Sequence, residues 1–246
     1  STTNPYTYTV PNSEEMVTAN YVTQYYISVT SLHGSPTQAS QWVNDGDPFS
    51  VSVTDPDVVV ADEHRWVLTG LTVDGSPQPL TDTVSYAAVH ASHTILFSWT
   101  EQWYQSFSSF GLSGDATGDL VSFSVSGGSY SGATSPIGVS GGFIWVDNGA
   151  TVDYMFVDPV SSSVTDKRYR LDSVTGPLSG YIISGANTLT GNYVVQYKLR
   201  VSTNPVDLDP QPAVTFVSGY DAGDGWYDTG SILSIDPDSP AGYTFD

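Results

Sequence analysis

Trp42-Val43-Asn44-Asp45-Gly46 returns as Trp145-Val146-Asp147-Asn148-Gly149 and again as Trp226-Tyr227-Asp228-Thr229-Gly230. The likeness continues past each glycine. Phe49, Val51 and Val53 alternate with polar residues, and Val152, Tyr154 and Phe156 do the same at a constant offset of 103 positions. Leu233 and Ile235 hold the matching places of the third copy, and Pro56, Pro159 and Pro240 follow their glycines at one spacing. Between the first two copies the register holds as far as Arg65 and Arg168, each followed by an aromatic residue, Trp66 or Tyr169. A second block agrees. NYVTQYYISVTS from Asn20 matches NYVVQYKLRVST from Asn192 at six of twelve positions, and HTILFSWTEQWY, His93 to Tyr104, holds the corresponding place between the first two turns. Chance does not keep register across a turn, a strand and a proline together, so the chain carries an internal repeat.

Trp42, Gly46, Trp145, Gly149, Trp226 and Gly230 are what the three copies share. Between them stand Asn, Asp and Thr. Asn, Asp and Gly tolerate positive φ, so the motif predicts a tight β-turn with the Trp packed beneath it. Read alone, Asp228-Thr229-Gly230 matches the active-site loop of an aspartic protease. Such an enzyme needs a second Asp-Thr/Ser-Gly to form its carboxylate pair, and the sequence has none. The other copies carry Asn44 and Asp147 at the place of Asp228, which therefore reads as a turn residue.

The 246 residues are 39% hydrophobic and 13% aromatic, enough to bury a core. Charge is lopsided, with 26 acidic against six basic residues and a formal net charge of −20. Such a surface repels phosphate backbones and anionic headgroups, excluding nucleic acid and membrane surfaces as partners, and it attracts divalent cations. Of the acids, 22 are Asp, a turn former, and four are Glu, a helix former. With abundant Ser, Thr, Val, Tyr and Gly, that ratio predicts turn-rich β structure. Disulfides and thiolate metal sites are excluded because there is no Cys. No apolar run approaches the ~20 residues of a membrane span. None of the eight Asn begins an Asn-X-Ser/Thr sequon.

The expected fold is all-β: tandem small antiparallel β-sandwich-like modules, with β-grasp-like repeats as the alternative. Residues 1–19 read as the tail strands of a preceding module, 20–101 as the first full module and 102–195 as the second. The second carries a Gly/Ser-rich insertion whose alternation at Leu120–Val125 predicts an added hairpin. Residues 196–246 read as part of a third module, so the phase of the repeats suggests a segment of a longer protein or subunits that complete one another. No window shows sustained helical periodicity.

Four blocks carry a further likeness: Val17-Thr18-Ala19-Asn20-Tyr21, Gln24-Tyr25-Tyr26-Ile27, Trp42 to Gly46, and Arg65-Trp66-Val67-Leu68-Thr69-Gly70. In these the chain resembles the divergent InlB B-type repeats, also called bacterial repeat domains, in the form found in archaeal surface-layer and secreted proteins. Leu71 stands where those repeats carry a second Trp, and the second module has Ser173 and Val174 in place of their Gly-Trp pair. The resemblance implies an extracellular, cell-surface β module used for structure or spacing, with no catalytic residues to carry over.

Asp221, Asp224 and Asp228 bring three carboxylates near one Gly-rich turn and are the candidate calcium ligands, since calcium takes about six to eight oxygens from such loops. Turn-forming Asp is the plainer reading of the same residues, and of the pairs Asp45/Asp47, Asp55/Asp57, Asp207/Asp209 and Asp236/Asp238. His90 and His93 lie three apart in an expected strand, so they face opposite sides and make no metal pair. There is no nucleophile elbow, and nothing selects Glu63 and Glu101 as a glycosidase pair. Arg65, Arg168, Lys198 and Arg200 lie on repeat strands, where pairing with nearby Asp is expected. The expected function is a non-enzymatic subunit or segment of an extracellular surface layer or filament. It would partner itself through sheet edges, with calcium as the one cofactor suggested. The alternative is a cell-surface adhesin or carbohydrate-binding stalk that presents exposed aromatics such as Trp103 and Tyr104 to glycans.

Overall fold

Period-two alternation governs the chain. The computed structural model is all-β, with 56% of residues in strands, several sheets and no helix among the described residues. These are residues 9–11, 14–16, 18–202 and 213–236. Tyr6 and Tyr8 of the expected tail strands, Val17, Asp207, Asp209, Asp238 and Pro240 lie outside them. By contact the chain forms two compact units, Ser1–Thr54 with Leu68–Ser98, and Asp55–Val67 with Trp99–Asp246.

In the first unit, strand Gln24–Thr30 pairs antiparallel with Gln41–Asn44, setting Gln24 opposite Asn44 and Tyr26 opposite Trp42. Its second half pairs parallel with the beginning of strand His93–Phe110, from Ile27 opposite His93 to Thr30 opposite Leu96. Phe49–Ser52 pairs antiparallel with Thr83–Tyr86 in a separate two-stranded sheet. The alternation foreseen there sends Phe49, Val51 and Val53 inward, where Ile27, Leu68, Val89, Ile95 and Phe97 are also buried. Every second residue of a strand faces one side, so this pattern alone decides which face is wet.

In the second unit, strand Asn187–Lys198 runs antiparallel to Lys167–Thr175 along one edge. Its other edge takes Gln105–Phe110 in parallel and then Trp226–Asp228 antiparallel. A four-stranded sheet is ordered Ile137–Gly138, Asp119–Ser126, Thr151–Phe156, Tyr181–Ile182. Residues of both sheets meet in one cluster that includes Phe107, Ile144, Tyr169 and Leu189 with Leu120, Phe123, Val152 and Phe156. The Gly/Ser-rich insertion contributes to that core. Its strand Asp119–Ser126 pairs with Ile137–Gly138 of the same insertion, as a hairpin does, and also with Thr151–Phe156 on its other edge.

Ile144 is fully buried in this cluster. Ile144→Ala is expected to cost about 2–5 kcal/mol in denaturant unfolding, from lost transfer energy and an unfilled cavity. A cost below about 1 kcal/mol contradicts the assignment of this cluster as the core.

Candidate functional site: the arginine clamps at the Trp turns

The glycine shared by the three turns has a backbone reason. Gly46, Gly149 and Gly230 have φ of +83°, +82° and +92°. Each is the third residue of a turn closed by the N–H of Asp47, Ala150 or Ser231 on the carbonyl of Asn44, Asp147 or Asp228, at 3.0, 3.1 and 3.0 Å. A type II turn needs positive φ at that place, which strains any residue with a Cβ.

The shared tryptophan has a different reason from the expected one. Trp42 is not packed beneath its turn; it is 62% exposed. Trp145 and Trp226 are half-buried, and each is covered by a guanidinium. Arg65 Cζ lies 4.4 Å from the Trp145 ring centre, and Arg168 Cζ lies 4.4 Å from that of Trp226. The rings are platforms for a planar cation, whose charge is drawn to the electron-rich indole face.

A glutamine completes the arrangement. Opposite the Asn or Asp of each turn stands Gln24, Gln102 or Gln196. Its Nε2 donates to Asn44 Oδ1 at 2.9 Å, to Asp147 Oδ1 at 2.8 Å and to Asp228 Oδ1 at 2.9 Å. With the amide oriented by that acceptor, its Oε1 is left to receive an arginine. Arg65 donates to Gln102 Oε1 from Nε at 3.0 Å and from Nη2 at 2.7 Å. Arg168 Nε donates to Gln196 Oε1 at 2.7 Å. Main-chain contacts repeat as well, the N–H groups of Tyr104 and Lys198 donating to the carbonyls of Glu63 and Asp166, both at 3.0 Å. The arginines were expected to pair directly with Asp. Arg200 does so, its Nη2 lying 2.7 Å from Asp166 Oδ1, and Arg168 Nη2 lies 3.7 Å from Asp224 Oδ1; in both clamps a glutamine also stands between the guanidinium and the carboxylate of the turn. Gln102 and Gln196 are 6% and 0% exposed, so these amides have no water to fall back on.

Asp228 carries a second load. Arg170 holds it bidentately, Nε to Oδ1 at 3.2 Å and Nη2 to Oδ2 at 2.7 Å. Burial pushes the Asp228 carboxyl up, but the bonds from Arg170 and Gln196 outweigh it and leave it below its ordinary value. Of the other candidate calcium ligands, Asp224 stands near Arg168 and Asp221 accepts the Gly223 N–H at 2.7 Å. The three carboxylates thus face separate partners. Among the described residues, no three His, Cys, Asp or Glu side chains gather in a way that could hold a metal ion.

The remaining candidates also have local partners. His90 Nδ1 lies 2.7 Å from Asp45 Oδ1. His93 Nδ1 lies 2.7 Å from Asp74 Oδ2, and its ring stacks on Tyr86 at 4.3 Å. Glu101 sits 2.9 Å from His64 Nε2 and accepts from Asn148. Trp103 and Tyr104 are half-buried rather than exposed. Trp103 stacks on His64 at 4.4 Å, and Tyr104 packs on Phe143 and Trp145.

Sequence reasoning missed one cluster. Asp115 accepts from the hydroxyls of Ser162, Tyr169 and Ser113 and from Lys167 Nζ, the last at 2.9 Å. The Ser162 hydroxyl first, then Tyr169, Lys167 and Ser113, hold its carboxyl well below the usual carboxylate range. In the sequence Asp115 is one more acid in a Gly-rich stretch. The only hint was Tyr169, a polar-tipped ring following Arg168, which needs a partner once buried.

Comparison with protein-family models, with curated proteins and with solved structures finds no match for the chain.

The clamp geometry separates two otherwise identical substitutions. Gln196→Ala strips a buried bridge from Arg168 and Asp228 and is expected to cost about 1–3 kcal/mol in denaturant unfolding. Gln24→Ala, at an exposed position, should stay within about 0.5 kcal/mol of the parent chain; equal costs would refute the clamp. Asp115 sets a pH dependence. Its folded pKa lies below the unfolded value of about 3.9, so its stabilisation is complete above that value and is lost as pH falls toward the folded one. Thermal melts of the parent chain and Asp115→Asn should therefore draw together below about pH 4, whereas a gap that widens on acidification contradicts this.

Proposed function

We propose that the chain is a structural protein of the extracellular surface, a subunit or segment of a layer or filament made of tandem small β-sandwich-like repeats of the InlB B type. The observation that carries this reading is the recurring clamp. The arginine of the repeat at residues 20–101 is seated on the glutamine and Trp turn of the repeat at 102–195. That repeat's own arginine is seated on the turn at 226–230. Strands run unbroken from one repeat into the next, as His93–Phe110 and Asn187–Lys198. Such stitching suits a quasi-linear array in which each repeat leans on its neighbour. The acidic surface supports an extracellular role without nucleic-acid or membrane contact, and calcium acts in this reading by screening charge between copies. No catalytic step belongs to it.

Negative-stain electron microscopy of the native material, with millimolar calcium and then with chelator, tests the proposal. Ordered filaments or a lattice are expected with calcium present. Single particles in both conditions would overturn assembly and move the search to glycan binding, as an adhesin requires. Assembly that survives the chelator leaves the structural role standing and removes the ion from it.

A further inference from the structure

Two of the three Trp turns hold an arginine; the third does not. At Trp42 the platform is built in the same way. Gln24 Nε2 donates to Asn44 Oδ1 at 2.9 Å, the Asp45 N–H bonds the Thr23 carbonyl at 2.9 Å, and the Tyr26 ring lies 5.2 Å from the indole. Yet Gln24 is exposed where its counterparts are 6% and 0% exposed, and Trp42 is 62% exposed. Gln24, Trp42, Asn44 and Asp47 line one open groove. The edge of Gln24–Tyr26 away from Gln41–Asn44 has no strand partner among the described residues, because the parallel pairing with His93–Leu96 begins only at Ile27.

The chain's own cations are committed elsewhere. Arg65 and Arg168 fill the other clamps. Arg170 holds Asp228, Arg200 holds Asp166, Lys167 holds Asp115, and Lys198 lies over Trp226. These six are all the Lys and Arg of the sequence. A second copy in the same conformation has the same commitments.

We propose that the Gln24–Trp42–Asn44 groove docks an arginine-bearing β-hairpin of the Asp57–Val67 kind, presented by a neighbouring polypeptide whose own arginine is unclamped. The hairpin adds to the open edge of Gln24–Tyr26 as an extra strand, its main chain supplying affinity. Its guanidinium lies over the Trp42 indole and takes Gln24 Oε1, as Arg65 does at Trp145 and Gln102. Arginine is required rather than lysine, because the planar fork can stack and donate together. At present the Tyr26 N–H donates to the exposed Ser92 hydroxyl at 3.1 Å. The hairpin replaces that hydroxyl with a carbonyl, as Glu63 and Asp166 do for Tyr104 and Lys198. This surface deepens the assembly reading and takes from it only the source of the hairpin.

The test titrates the full chain with a backbone-cyclised peptide of residues 55–68 and follows binding by calorimetry. Saturable binding is expected, weakened about tenfold by Arg65→Ala in the peptide or by Trp42→Ala in the chain. No saturable binding at millimolar peptide, or indifference to both substitutions, overturns the site. Because a short hairpin is marginal alone, a second measurement tethers a folded donor by duplicating residues 20–101 ahead of Asn20, which raises its effective concentration. Hydrogen exchange should then slow at the Tyr26 amide and Trp42 indole of the downstream copy; unchanged exchange also counts against the site. Filaments seen without docking leave the assembly reading standing and remove this surface, and docking without filaments does the reverse.

Discussion

A buried glutamine amide is the constraint on which the second unit depends. Gln196 is fully buried, and it has a donor end and an acceptor end that both need partners. Asp228 accepts from one and Arg168 donates to the other. Turning the amide over would set its nitrogen against a guanidinium and its oxygen against a carboxylate. Two repulsions would replace two charge-assisted bonds, so the amide has one orientation. That orientation fixes register. Sliding strand Lys167–Thr175 by one residue would carry Arg168 to the other face of the sheet and leave Gln196 Oε1 unmet. Apolar burial says only which face is inside; the glutamine says which residue stands beside which.

The same reasoning explains how a chain with a formal charge of −20 stays ordered with so few cations. None of the six is left to solvent alone. Arg170 neutralises Asp228 at the third turn, and Lys167 does so for Asp115 within a ring of hydroxyls. At Asp115 the hydroxyls of Ser113, Ser162 and Tyr169 donate where no further cation is available. Substituting hydroxyl donors for cations lets an acidic protein satisfy a partly shielded carboxylate, since a hydrogen bond to the charged form stabilises it as a nearby charge does. Other acids take neutral or ring partners, as Asp147 does with Gln102, Asp45 with His90 and Asp74 with His93.

The all-β class, the alternating strands and the positive-φ glycines were legible in the sequence because each is a local property. Gly46, Gly149 and Gly230 are readable from their neighbours alone, and so is the burial of Phe49, Val51 and Val53. What failed was partnership at a distance. The tryptophans were expected beneath their turns because a large apolar ring normally goes inside, and nothing local to Trp145 announces Arg65, 80 positions earlier. Arg200 meets Asp166 as opposite charges should, but the glutamine that receives Arg65 and Arg168 was not foreseen. The intervening glutamine is visible only once two strands are laid side by side. The Asp221, Asp224 and Asp228 cluster reads as one site along the chain, but the strand beyond the turn directs Asp228 toward Arg170 instead.

The variation among the copies follows from what each position does. Asn44, Asp147 and Asp228 differ in charge, yet each offers the Oδ1 that orients a glutamine, so either residue type serves. Glycine recurs because the positive φ strains a residue with a Cβ, and the tryptophan gives the widest electron-rich face to a guanidinium. Each requirement belongs to the clamp and not to the core around it. That is why Trp42 poses a physical problem that Trp145 and Trp226 do not. It keeps the platform and the orienting pair Gln24–Asn44 while exposing most of its indole to water, which forgoes about 25 cal/mol for each Å² of apolar surface left unburied. An indole that contributed only to the core of its own unit would gain by turning inward. One that waits for a cation has to stay where the cation arrives.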